Sequence, residues 1–89
     1  MKKFTRIQIH GYGDISITIS EMAIYLDIVT SKHTSNESFK LPSNKNEAIH
    51  IMGQISRSIT KHGFLQEHAG QVIGVTQERV SQVIALCNN

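Results

Sequence analysis

Apolar and polar positions alternate along the first third of the chain and then change period. From Thr5 to His10 the apolar side chains, Ile7 and Ile9, fall on odd positions, and they do so again at Ile15, Ile17 and Ile19. Alternation built from β-branched residues predicts strands. Between the two runs lies Gly11-Tyr12-Gly13-Asp14, whose glycines allow a tight connection, so the pair reads as a hairpin with one isoleucine face and one Ser/Thr/Gln face. After Ser20-Glu21 the apolar phase moves to even positions, at Met22, Ile24, Leu26 and Ile28. A turn near Ser20 would explain the shift and predicts a third strand, with a short helix from Glu21 to Leu26 as the alternative. Ser31 to Ser38 is polar throughout and reads as a surface loop, pinned at its far end by Phe39 and Leu41 before Pro42, the only proline.

From Asn44 onward the period is helical. Asn44 suits an N-cap, and Glu47 stands three residues later in capping-box spacing. Ala48, Met52, Ile55 and Ile59 then line one face, and Gly63 supplies the stop. A second helix is expected from about Leu65 to Ile73, ended by Gly74. A third, capped by Thr76, would run to about Leu86 with Val80, Val83 and Ile84 buried.

The run Leu65-Gln66-Glu67-His68-Ala69-Gly70-Gln71-Val72-Ile73-Gly74-Val75-Thr76-Gln77-Glu78-Arg79-Val80-Ser81-Gln82-Val83-Ile84 resembles the helix-turn-helix of the lambda-repressor-like (Xre-type) family, over about residues 45–86. Gly70 would sit where the two helices cross, Gly74 would supply the bend, Val75 would plug it and Thr76 would cap the recognition helix. The resemblance implies base contacts in the major groove from Gln77, Glu78, Arg79 and Gln82, and phosphate contacts from Gln66, Thr76 and Ser81, to which Lys61 and Arg57 are added as expected phosphate contacts. Alanine is usual where Gly70 stands, and a polar residue where Phe64 stands. The family's further helices do not follow within these residues, so the strand-rich half is expected to supply the missing core, a dimer contact, or both.

Composition narrows the reading only a little. The 89 residues suit one compact domain, and 39% apolar content without Trp makes a modest core that a dimer would help. The net charge of +2 and pI near 8.9 suit phosphate contact without marking a polybasic protein. In residues 1–39 Lys2, Lys3, Arg6 and Lys32 cancel Asp14, Glu21, Asp27 and Glu37, so the excess lies in the second half. A single Cys87 excludes an internal disulfide. The histidines His10, His33, His50, His62 and His68 include no helical i, i+4 pair, and no metal, cofactor or catalytic constellation is read. Gly11-x-Gly13 precedes a strand and is a turn, not a nucleotide loop. No apolar run approaches a membrane span, and a cytoplasmic location is expected.

The expected architecture is α+β: an N-terminal antiparallel β-hairpin or three-stranded sheet over residues 1–39, then a three-helix unit containing the helix-turn-helix over 40–89. The expected function is that of a non-enzymatic, homodimeric, sequence-specific regulator of transcription, most simply a repressor on a palindromic duplex operator. The alternative is a protein-interaction module, such as an antitoxin or enzyme inhibitor, working through the β-rich half.

Overall fold

The computed structural model describes residues 3–9 and 12–87, without the side chains of Lys3, Leu86 and Cys87. His10 and Gly11 of the first hairpin thus lie outside the described residues, as does the Cys87 thiol. Four strands, β1 (Lys3–Ile9), β2 (Gly13–Ile19), β3 (Ala23–Thr30) and β4 (Thr34–Lys40), form an antiparallel meander in the order β1-β2-β3-β4. The isoleucine phase read from sequence becomes the inner face. Ile7, Ile15 and Ile28 share one cross-strand row, Thr5, Ile17 and Leu26 the next, and Ile19, Ile24 and Phe39 a third.

The shift of phase after Ser20 is a two-residue turn. Ser20 Oγ accepts from the backbone N–H of Met22 and Ala23, and Thr30 Oγ1 does the same for Lys32 and His33 in the next turn. The third strand is present, and the alternative helix over Glu21 to Leu26 is not. Most of the polar stretch read as a loop is β4. Its inward positions are Ser35, Glu37 and Phe39, so an edge strand with one apolar inward residue left no alternation to recognise.

Helix α1 (Lys45–Lys61) starts as its sequence predicts: the Glu47 N–H donates to Asn44 Oδ1 at 2.9 Å. The Glu47 carboxylate reaches back one residue further, accepting from Ser43 N–H and Oγ. Gly63 ends the helix at φ 95°, and a side chain there would also strike the Tyr12 hydroxyl.

The second half departs from expectation. Helix α2 runs unbroken from Gln66 to Cys87, straight through Gly74-Val75-Thr76. Thr76 is therefore not a cap. It is buried in mid-helix and its hydroxyl donates to the Val72 carbonyl at 2.6 Å. Gly70 is exposed, with open space where a side chain would stand, so no helix crosses there. Ala69, Val72, Thr76, Val80 and Val83 recur at three- and four-residue steps without a change of phase and bury one continuous stripe. Two mid-helix glycines cost about 1 kcal/mol each. Burying Val72 and Val80 returns about 1.5–3 kcal/mol each, so packing overrides the local turn signal. The fold is thus a four-stranded sheet followed by two helices, in place of the hairpin or three-stranded sheet and three-helix unit expected.

Both helices pack on the isoleucine face, with α2 beneath β1 and β2. One core joins Ile15, Ile17, Ile19, Ile24, Leu26 and Ile28 to Met52, Ile55 and Ile59 of α1, to Phe64, and to Ala69, Val72, Val80 and Val83 of α2. Tyr12 latches the first hairpin to the interhelical turn: its hydroxyl donates to the His62 carbonyl at 2.8 Å, and its ring meets Phe64 edge-on at 4.7 Å.

Candidate functional site

Helical spacing gathers His50, Gln54, Arg57 and Lys61 into one exposed stripe along α1, at steps of four, three and four residues. The stripe faces β4. Between them runs an open groove of about 570 Å³, lined by Glu37, Ser38 and Phe39 from the strand and Gln54, Arg57, Ser58 and Lys61 from the helix. One bond crosses its floor, from Ser58 Oγ to Glu37 Oε2 at 2.6 Å. That bond occupies the groove's carboxylate. Arg57 and Lys61 have no ion-pair partner among the described residues, where the one pair recorded is Arg6–Asp14 at 2.5 Å.

The strand side offers main-chain groups. Hydrogen-bonded and non-bonded pairs alternate along an antiparallel ladder. The Thr30 N–H bonds the His33 carbonyl at the turn, so Ser35, Glu37 and Phe39 turn their N–H and C=O groups toward β3. Those of Thr34, Asn36, Ser38 and Lys40 then face outward, where no further strand pairs with them among the described residues.

The same alternation at the other edge of the sheet directs the main chain of Phe4, Arg6 and Gln8 outward. There Arg79 Nη1 donates to the Phe4 carbonyl at 2.8 Å and also to Thr5 Oγ1. The β1 edge is held by a side chain from α2, and the β4 edge is open.

The residues read from sequence as DNA contacts are dispersed by this fold. Gln66, Gln77, Glu78, Ser81 and Gln82 are exposed on α2, with no separate recognition helix to present them. Thr76 is buried and cannot reach a phosphate. Arg79, the only Lys or Arg of α2, is turned to β1, while Glu67 and Glu78 stay exposed, so the outer face of α2 offers a duplex two carboxylates and no free cation. Arg57 and Lys61 are brought together in the groove beside β4, and Gln77 and Ser81 line a separate pocket with Lys45, Ala48 and Ile49 of α1. Glu37, Ser38, Gln54 and Ser58 were not read as site residues and Phe39 only as the anchor of a loop, because a loop over Ser31 to Ser38 sets no strand against α1. The step pattern of Gln54, Arg57 and Lys61 was available in the sequence as a polar stripe beside the buried one.

Among the described residues no group of three or more His, Cys, Asp or Glu side chains is placed to hold a metal ion. No described helix is long and apolar enough to cross a membrane. The chain matches no protein-family model, no curated protein and no solved structure.

Proposed function

We propose that the protein is a binding module that takes an extended, acidic polypeptide segment as a fifth strand along β4, with carboxylates of that segment meeting Arg57 and Lys61. The carrying observation is the outward main chain of β4 opening onto a groove whose far wall holds two unpaired cations. Strand addition beside a helix supplies affinity through main-chain hydrogen bonds and specificity through alternate side chains. Exposed ion pairs contribute about 0.2–1 kcal/mol each, so Arg57 and Lys61 select for charge while backbone pairing carries the binding. A second copy of this chain fits less well, because antiparallel pairing of two β4 strands would set the two basic stripes against each other. This reading follows the protein-interaction alternative and not the duplex-reading one.

A nucleic-acid backbone is the competing occupant, supported by the same two cations. Isotope-labelled protein titrated with a short peptide of alternating glutamate and valine should show saturable amide shifts over residues 34–40 and 54–61. The lysine-for-glutamate peptide should not. Shifts at the same residues with a short duplex but not with the acidic peptide would replace the proposal with the nucleic-acid reading, and no response to either would remove the groove as the site.

A further inference from the structure

Beyond Lys61 the β3–β4 turn meets the C-terminus of α1, and two histidines come together there. The rings of His33 and His62 have their centroids 5.2 Å apart and are tilted by 45°. His62 Nδ1 lies 2.7 Å from the Ser58 carbonyl oxygen. A carbonyl only accepts, so Nδ1 carries a proton, and in the neutral ring the lone pair is then on Nε2. The His33 ring has no hydrogen-bond partner among the described residues, which leaves one of its nitrogens free to bind as well. Both rings line a cavity of about 130 Å³ with Tyr12, Thr30, Ser31 and Lys32.

These are the features of a metal-binding imidazole pair. A ligating histidine characteristically donates its second ring nitrogen to a carbonyl or carboxylate, which fixes the tautomer and aims the other nitrogen. Two imidazoles bound through one nitrogen each to a tetrahedral ion, at about 2.0–2.1 Å, hold their centroids about 5 Å apart. With a water occupying about 30 Å³, the cavity has room for an ion and two waters. Calcium and magnesium want oxygen ligands, whereas neutral imidazole suits zinc and its neighbours.

We propose that His33 and His62 form a zinc site, ligated through His62 Nε2 and one nitrogen of His33, with water completing the coordination. Two protein ligands and the nearby Lys32 ammonium make it a weak site compared with a four-residue structural one. A bound ion ties the β3–β4 turn to the end of α1, and the site stands whether or not a peptide fills the groove.

The test is calorimetric titration of the tag-free full chain with zinc chloride, alongside His33→Gln, His62→Gln, His50→Gln and His68→Gln, with nitrogen shifts of the histidine rings read by NMR. The expected result is one saturable site, coordination shifts at His33 and His62 together, and a loss of about tenfold or more in affinity for either of those two variants. The His50 and His68 variants should bind as the parent does. His33 lies on an exposed turn, so its variant keeps the fold and the comparison holds even where His62→Gln weakens the helix end. Absence of binding, or binding unchanged in His33→Gln, would overturn the proposal and leave the ring pair as a stacking contact.

Discussion

The sheet ends in two strands that meet solvent differently. Along β1, α2 packs underneath and Arg79 reaches out to occupy the Phe4 carbonyl and the Thr5 hydroxyl. Along β4, α1 stands off behind a groove, and among the described residues the single hydrogen bond across it is Ser58 to Glu37 and Arg57 and Lys61 have no ion-pair partner. An uncovered edge is a template for pairing with another chain, and folds usually blunt it. Here one edge is blunted with an arginine and the other is left open but flanked by charge, and it is on the open one that the proposed function places the partner.

The largest perturbation should fall on both edges equally. Leu26 is fully buried at the centre of the sheet, and Leu26→Ala should cost about 2–5 kcal/mol in denaturant unfolding. Amide exchange should then accelerate in β1 and β4 together. Loosening of one edge alone would show that the edges do not share one core.

Arg79→Ala should act on β1 only. Losing hydrogen bonds from a charged donor that is partly exposed should cost about 1–2 kcal/mol, raise exchange in residues 3–9, and promote self-association seen by sedimentation. Unchanged stability and unchanged mass would mean that Arg79 does not hold the edge. Ser58→Ala is the matching change at β4, removing the donor to Glu37 for about 1 kcal/mol. It should leave β1 exchange unaltered, and an effect that reaches β1 would blur the contrast.

The smallest effect concerns the connection from β4 into α1. The backbone N–H and then the hydroxyl of Ser43 hold the Glu47 carboxyl below the usual carboxylate range. A lowered folded-state value means that its contribution is present above the ordinary carboxylate pKa and is lost as pH falls through the lowered one. The stability difference between the parent and Glu47→Gln should therefore shrink toward zero on acidification. A difference that is constant with pH would assign the effect to packing.

The strands β1 to β3 and the start and stop of α1 were legible because their signals are local: isoleucine alternation, an Asn44 cap and a Gly63 stop. Two elements were not. Strand β4 buries little, so Thr34 to Ser38 shows composition without pattern, and the groove it builds with α1 was invisible from sequence. In α2, Gly74-Val75-Thr76 has the residues of a helix-turn-helix bend, yet the buried stripe at Ala69, Val72, Thr76 and Val80 keeps one phase across it. Continuity of that stripe was the better guide, because the choice between a bend and a continuous helix is made by tertiary burial. Arg57 and Lys61 were read from sequence only as phosphate contacts, and neither their shared face on α1 nor their setting against β4 was part of that reading.

The central claim is that the outward main chain of β4 is what the groove's ligand pairs with. Ser38→Pro tests it, since the Ser38 N–H faces outward by the alternation of the ladder, and proline at such an edge position leaves the pairing with β3 intact. Affinity for the glutamate–valine peptide should be measured by calorimetry for the parent, Ser38→Pro and Ser38→Ala, each checked for an unchanged unfolding midpoint. The account predicts that Ser38→Ala binds like the parent and that Ser38→Pro loses about tenfold or more, the equivalent of about 1.4 kcal/mol. A folded Ser38→Pro protein that binds the peptide as tightly as the parent would contradict it.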